Sequence, residues 1–313
     1  MTSLVTGGAG FLGYNLCRRL LDQGDKVVCI DDMTSGLQAH IDELSGHSRF
    51  EFLLHDVTKP LSLKVDRIFN LACPASPPAY QADPIKTTLT SVLGVLNMLE
   101  LALQNGARIF HASTSEVYGD PLEHPQKETY HGNVNTMGPR ACYDEGKRCA
   151  ETLLHDYHRI RGADIRVARI FNTYGPGMRA DDGRVISNFV TQALSGEDLT
   201  VYGDGSYTRS FCYVDDLIDG MMALMEHDGD YPLPVNLGNP DEFSIAKLAS
   251  LVIEATGSDS RIVNLPNAPD DPKVRCPDIS RAKATFGWGP KVPLEQGLVP
   301  TIEYFRQVGG GER

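Results

Sequence analysis

The feature that most restricts this chain lies within its first thirteen residues. Apolar Leu4 and Val5 lead into Gly7-Gly8-Ala9-Gly10-Phe11-Leu12-Gly13, and over 11–21 apolar residues recur at helical spacing (Phe11, Leu12, Leu16, Leu20). A strand that enters a helix through spaced glycines lets the backbone, free of Cβ atoms, turn tightly and approach a pyrophosphate. The N–H groups of the first helical turn then hold the phosphate charge. The next β-rich run, 26–30, ends in Asp31 and Asp32, and Asp31 falls eighteen residues past Gly13. A carboxylate there accepts hydrogen bonds from an adenosine ribose and repels a 2′-phosphate, so the pattern favours NAD over NADP.

Short apolar runs follow at 50–54, 67–72 and 108–112, with a helical stretch at 87–104 between the last two. A long helix is expected over 143–160, with Ala150, Leu153, Tyr157 and Ile160 on one stripe, and then a strand over 165–171. Strands alternating with helices give βαβ units, and right-handed crossovers make the sheet parallel. The predicted fold is α/β: a Rossmann-type, doubly wound parallel sheet with a smaller, loop-rich C-terminal substrate-binding domain. Pro and Gly cluster at 174–178, 202–205, 232–240 and 266–277, separated by helices at 185–194 and 245–255. Residues 1–171 are expected to form the dinucleotide domain, completed by about 210–238, and 172–313 mainly the substrate domain. The glycine tail at 309–313 is expected to be disordered.

Composition narrows the partners. With 29 Lys+Arg against 41 Asp+Glu, the formal charge is −12, and no basic run offers a nucleic-acid footprint. No apolar run approaches the roughly 18 residues of a membrane helix, so a soluble cytoplasmic chain without membrane contact is expected. The seven cysteines are scattered and never spaced Cys-x-x-Cys, which indicates neither a disulfide framework nor zinc. His155 and His158 share a helical face but read as a solvated pair, and no metal is predicted.

Tyr143 and Lys147 stand four apart at a helix start, so both side chains emerge on one face. A phenol titrates near ~10 in water, and a neighbouring ammonium together with a cationic nicotinamide ring favours phenolate. Tyr143 could then take a hydroxyl proton.

The glycine turn combined with Tyr143-x-x-x-Lys147 resembles the extended short-chain dehydrogenase/reductases that act on nucleotide sugars. Within that family, three runs are similar to UDP-glucuronate decarboxylases, also called UDP-xylose synthases. They are Ala112-Ser113-Thr114-Ser115-Glu116-Val117-Tyr118-Gly119-Asp120, Cys142-Tyr143-Asp144-Glu145-Gly146-Lys147-Arg148 and Ala168-Arg169-Ile170-Phe171-Asn172-Thr173-Tyr174-Gly175-Pro176. Tyr202-Gly203-Asp204-Gly205, Thr208-Arg209-Ser210-Phe211, Asp271-Pro272 and Arg275-Cys276-Pro277-Asp278-Ile279 match as well, so the likeness covers nearly the whole chain. Related 4,6-dehydratases carry Asp where this chain has Ser115, and related 4-epimerases lack the Glu found at Glu116.

The resemblance implies the activity and its residues. Tyr143 would be the base at the sugar C4 hydroxyl, with Thr114 orienting that hydroxyl and Lys147 tuning Tyr143 and holding the nicotinamide ribose. Ser115, Glu116 and Arg275 join the catalytic set, Arg275 gripping the sugar carboxylate. NAD would lie on Gly7, Gly10, Phe11, Leu12, Gly13, Asp31, Asp32, Asp56, Val57, Leu71 and Ala72, with Tyr143 and Lys147. The UDP-sugar would lie on Asn172, Asn188, Tyr202, Arg209 and Arg275, and a homodimer would form through helices around 87–104 and 143–160.

Four positions depart from the family: Ser91 for Asn, His131 for Trp, Thr136 for Pro and Gly177 for Arg. His131 and Thr136 precede Tyr143 in a loop expected to help enclose the sugar, so a looser enclosure would release some UDP-4-ketopentose before the hydride returns. Two alternatives stay open at this level: another C4 epimerase or dehydratase of the family, and a non-catalytic NAD-binding scaffold.

Overall fold

A computed structural model describes residues 1–266 and 271–309. Its centre is a seven-stranded sheet whose paired neighbours all run parallel. In chain order the first six strands are β1 (Thr2–Thr6), β2 (Lys26–Asp31), β3 (Phe50–Leu54), β4 (Arg67–Asn70), β5 (Arg108–Thr114) and β6 (Ile165–Ile170). The spatial order is Pro234–Leu237, β6, β5, β4, β1, β2, β3. Successive residues point to opposite faces, and each face has its own core. Val5, Cys29, Phe69 and Phe110 pack with helix α1 (Phe11–Asp22) and the helix Val214–Glu226, whereas Leu4, Ile30, Ile68 and Ile109 pack with the helices Val95–Asn105 and Ala141–Arg161. A sheet covered on both sides explains why these strands read as unbroken apolar runs.

Three expectations need correction. The helical stretch 87–104 is a helix Pro84–Leu89, a π-helical turn Thr90–Gly94 and a helix Val95–Asn105. A Cβ on Gly94 would stand 2.9 Å from Val57 Cγ2, so this turn is pressed close to the end of β3. The helices α2 (Gln38–Ser45), Val214–Glu226 and Leu294–Gly309 have no counterpart in the sequence reading. Val214–Glu226 buries nine of its residues, which blurs the 3.6-residue stripe, and Leu294–Gly309 carries Pro300 in its interior. Gly309, expected in a disordered tail, closes that last helix. Residues 310–313 of that tail, and 267–270 of the Pro-rich stretch 266–277, lie outside the described residues.

The order reverses between β1 and β4, and a ligand crevice opens at such a point beyond the strands' carboxyl ends. Thr6 and Asn70 are partners in register there. The Thr6 hydroxyl donates to Asn70 Oδ1 at 2.8 Å and accepts from the N–H groups of Leu71 and Ala72 at 3.0 Å each. Gly7 follows at φ +69°, and a Cβ on it would sit 2.9 Å from the Ala72 backbone. At Gly13 a Cβ would lie 2.1 Å from the Gly7 carbonyl oxygen, so the turn and α1 meet backbone to backbone. Further along, the short strands Glu242–Ser244, Thr208–Ser210 and Val274–Arg275 form a second sheet in which Arg209 and Arg275 are paired neighbours.

Gly13→Ala forces this contact apart. Overpacking of this kind costs about 1–3 kcal/mol, so calorimetry is expected to show a Tm lowered by several degrees; an unchanged Tm would show that the close approach is not needed.

Candidate active site

One cavity of about 1090 Å³ runs from the glycine turn to the small C-terminal sheet. That is slightly above the roughly 300–1,000 Å³ typical of one ligand. At one end, helical geometry leaves the N–H groups of Phe11, Leu12 and Gly13 without intrahelical acceptors. Gly7, Gly10, Phe11, Leu12, Gly13, Asp31, Asp32, Val57, Leu71 and Ala72 all line the wall. The Asp31 carboxylate is buried and accepts from Ala9 N at 3.0 Å and Met33 N at 2.9 Å, which leaves lone pairs for a ribose. Burial raises its pKa, against the pull of those two donors.

Asp56 is the exception in the expected cofactor set. Its side chain is turned to Lys86 Nζ at 2.5 Å and to Thr58 N at 2.9 Å, and it is not among the lining residues. Burial would raise its carboxyl, but Lys86 and Thr58 outweigh that and hold it at about 2. Lys86 does line the cavity and also reaches Asp32 at 3.3 Å. Nothing in its spacing pointed to this.

Tyr143, the expected base, and its neighbours meet midway. Thr114 ends β5 with its hydroxyl beside the Tyr143 phenol, and its Oγ1 accepts from Glu116 N at 3.2 Å. Lys147 is buried and donates to Ala112 O at 2.7 Å, with Nζ 5.8 Å from the Tyr143 ring centre. The expected lowering of the phenol pKa by Lys147 is not what the protein alone shows. Burial first, and Cys73 beside it second, push the phenol above its ordinary value, while the Thr114 hydroxyl works the other way. Burial also lowers the Lys147 ammonium. Tyr80 stacks on Tyr143 at 5.2 Å and 7° and lines the same wall, a residue the sequence reading passed over.

Beyond Tyr143 lies a group of charges. The short 3-10 turn Ser115–Tyr118 points Glu116 into it, and Glu116 Oε2 accepts from Arg140 Nη2 at 2.8 Å and from Arg275 Nη2 at 3.0 Å. Arg275 also donates to the Ser115 carbonyl and is buried. Burial would raise the Glu116 carboxyl; Arg275, Arg140 and Arg209 overcome it and hold it at about 2. Here the structure corrects the expected geometry: Glu116, Ser115 and Arg140 line the cavity, whereas Arg275 sits behind Glu116 and does not. Arg140 is the guanidinium on the wall, and the sequence reading missed it because no motif marks it. Asp144, one residue past Tyr143, is buried with Oδ1 unpartnered, and burial followed by the Glu116 charge pushes it up to about 8.

Asn172, Asn188, Tyr202 and Arg209 line the far end. Arg209 is paired with Asp271 at 2.9 Å, so its charge is already shared. Gly177 lines the cavity at φ +93°, where a Cβ would stand 3.1 Å from the Tyr14 ring and from Asn15 Nδ2; this close approach suits glycine in place of the family's arginine. Ser91 is buried against Cys73 Sγ at 3.3 Å. His131 and Thr136 are exposed and off the cavity wall, so the expected enclosure falls to Pro139 and Arg140 instead. All seven cysteines are free.

Residues 4–301 match the family model described as GDP-mannose 4,6 dehydratase. The UDP-glucuronic acid decarboxylase 6 of Arabidopsis thaliana is 55% identical over 307 residues, 98% of this chain and 89% of that protein. The UDP-glucuronic acid decarboxylase 1 of Xenopus tropicalis is 54% identical over 97% of this chain and 72% of its own length. The chain belongs to the UDP-glucuronic acid decarboxylases of this family. Among solved structures, the UDP-glucuronic acid 4-epimerase of Bacillus cereus, in complex with UDP-glucuronic acid and NAD, superposes with TM-score 0.87 at 29% identity, covering 98% of this chain and 100% of that one. The dTDP-glucose 4,6-dehydratase DesIV of Streptomyces venezuelae, with NAD bound, gives TM-score 0.90 at 27% identity, covering 99% and 98%. Structural relatives of this decarboxylase-family chain therefore bind NAD, and among the described residues no helix is long and apolar enough to cross a membrane.

Two variants separate the carboxylates by pH. Glu116 has a folded value of about 2 against an ordinary 4.5, so its pairing stabilises the fold above pH 4.5 and is lost as the pH falls toward 2. Glu116→Gln leaves the buried Arg275 and the part-buried Arg140 short of their anion and is expected to lower stability at pH 7 by about 3–5 kcal/mol. Asp144 behaves oppositely: its raised value makes the folded state bind the proton more tightly, so ionisation destabilises progressively from pH 3.8 to about 8. Asp144→Asn should therefore raise Tm at pH 8.5 by at least about 3 °C, the shift that about 1 kcal/mol makes in a chain of this size, and by less at pH 5. Equal shifts at both pH values would contradict the assignment.

Proposed function

We propose that this chain releases CO₂ from UDP-glucuronate by way of a transient C4 ketone and delivers UDP-xylose. The observation that carries the reading is that one cavity holds the glycine cradle, the Thr114–Tyr143–Lys147 group and the Glu116–Arg140 charge group. The first suits a dinucleotide, the second an alcohol to be oxidised, and the third a sugar carboxylate beside it. Decarboxylase relatives at 55% identity over nearly the full chain support the same conclusion.

The residues fit NAD on structural grounds. A Cβ at Gly7 or Gly13 would fill the space the backbone uses, and Asp31 keeps free lone pairs at the ribose end. Gly7, Gly10, Phe11, Leu12, Gly13, Asp31, Asp32, Val57, Leu71 and Ala72 would hold it, with Tyr143 and Lys147 at the nicotinamide end. When bound, NAD supplies the hydride acceptor and later donor for C4, so no outside oxidant is consumed.

The chain's own residues do the rest. Tyr143 takes the C4 hydroxyl proton while Thr114 fixes that hydroxyl within reach of the phenol. With C4 a ketone, the electron pair left at C5 by departing CO₂ is delocalised onto the C4 oxygen. Arg140 faces the cavity and binds the carboxylate before it leaves. Glu116, ionised at about 2, keeps Arg140 and Arg275 aimed and is not a proton donor at neutral pH. After C5 gains a proton, Tyr143 returns its own to the C4 oxygen as the alcohol re-forms. Asn172, Asn188 and Tyr202 hold the nucleotide end, and Arg209 meets the diphosphate by exchanging its Asp271 partner for a phosphate oxygen.

We also place a homodimer contact on the helix Pro84–Leu89 and the turn after it, where Ile85, Leu89 and Leu93 are exposed beside a shallow hollow lined by Pro84, Thr88 and Cys142. Leu89→Glu should turn a dimer into a monomer in sedimentation; an unchanged sedimentation coefficient would put the contact elsewhere.

Purified protein given UDP-glucuronate and substoichiometric NAD should yield CO₂ and UDP-xylose in equal amounts, with little UDP-4-ketopentose because His131 and Thr136 stand off the cavity. Sugar products without CO₂ would mean an epimerase. Tyr143→Phe should still bind substrate while losing about 10²–10⁴-fold in kcat, the range of a general base.

A further inference from the structure

His124, Glu242 and Cys276 come from three distant stretches of the chain, yet their donor atoms all lie within 4.8 Å of one another. His124 Nε2 stands 3.1 Å from Glu242 Oε2, and the Cys276 thiol donates to the Pro240 carbonyl at 3.3 Å. Taken alone, the first contact is an imidazole against a carboxylate and the second a buried thiol. Their common mounting says more.

Gln126 is fully buried, two residues past His124. Its side-chain oxygen accepts from Cys276 N at 2.9 Å, and its backbone N–H donates to Cys276 O at 2.9 Å. One residue thus ties the His124 loop to the Cys276 segment. Glu242 and the segment before Cys276 belong to the same three-stranded sheet, in which Phe243 and Arg275 both pair with Arg209. The second oxygen of Glu242 is held by the Thr208 hydroxyl, the kind of outer contact that orients a metal-binding carboxylate. All three donors therefore stand on backbone fixed independently of any ligand.

The set is one imidazole nitrogen, one carboxylate oxygen and one sulfur, and three protein ligands with an open fourth position suit a tetrahedral zinc ion. Its side chains at His124 and Glu242 are 44% and 25% exposed, which gives an entry path from solvent. Asp241 and Asp278 add negative charge around the thiol. The sequence expectation of no metal rested on the lack of Cys-x-x-Cys spacing and on the solvated pair His155 and His158, and did not weigh this set.

We propose that His124, Glu242 and Cys276 form a site for a thiophilic divalent cation, zinc foremost, whose occupancy inhibits the enzyme by clamping the segment that carries Arg275. On binding, the thiol leaves the Pro240 carbonyl, its proton passes to solvent, and the thiolate donates its electron pair to the ion. Arg275, the next residue back, holds the Ser115 carbonyl and Glu116, so a fixed Cys276 restricts the group that receives the sugar carboxylate. Only the inhibitory clause rests on the proposed decarboxylation.

The test uses the reduced, chelator-stripped full chain with Co²⁺ as probe. One equivalent should produce a near-ultraviolet thiolate-to-cobalt band and the visible bands of four-coordinate cobalt. C276S should lose the near-ultraviolet band, and H124A, a change on the exposed loop, should weaken binding at least about tenfold, as loss of even an outer-shell partner does elsewhere. Zinc should displace the cobalt and slow CO₂ release, while C276S keeps its zinc-free activity and resists zinc. Absence of the band in the unaltered chain, or its persistence in C276S, would overturn the site. Cobalt binding as described with zinc-insensitive CO₂ release would remove the inhibitory clause alone. A chain that releases no CO₂ under any condition would fail the functional reading while leaving the cobalt spectrum decisive for the site.

Discussion

The carboxylate of Glu116 is the joint on which this molecule closes. Three segments meet at it: the turn that follows β5, the residue Arg140 that caps the long helix Ala141–Arg161, and the strand Val274–Arg275 from the C-terminal sheet. A buried charge costs several kcal/mol unless it is paired, so none of the three can be properly seated without the others. The turn is fixed by the sheet, the helix start by the turn, and the C-terminal sheet by both. Because Tyr143 lies three residues past Arg140, the position of the phenol is a consequence of the same pairing.

Several cations on the cavity wall are already paired with carboxylates. Lys86 is shared by Asp32 and Asp56, Arg184 by Asp182, Arg209 by Asp271, and Arg140 by Glu116. In a protein of charge −12 these pairs spare each cation a desolvated, unpaired state. Arg275 is the contrast: it is buried behind Glu116 and acts by holding the anion that aims Arg140.

What could be read from the sequence follows from how local each signal is. The glycine turn, Asp31 and the strands of the sheet are local patterns, so each stood where the spacing put it. Thr6 was invisible because its task, accepting from Leu71 and Ala72, depends on register with a strand more than sixty residues away. Arg140, Lys86 and Tyr80 were missed for the same reason: each is an ordinary residue until the fold brings it to the wall. Motif likeness pointed to Arg275 but carried no depth, and so could not tell that Glu116 lines the cavity while Arg275 lies behind it. Val214–Glu226 hid for the opposite reason, since burial on nearly all sides erases the stripe by which a helix is recognised.

The phenol of Tyr143 shows how such an arrangement controls its own chemistry. Burial and the neighbouring Cys73 favour the neutral form, and Lys147 directs its ammonium to the Ala112 carbonyl rather than to the phenol. The protein by itself therefore favours the protonated phenol. In the proposed reaction, further positive charge next to the ring, at the end to which the glycine cradle leads, would favour proton removal. The same charge would accept electron density from C4, so the step that needs a base and the condition that favours one would arrive together.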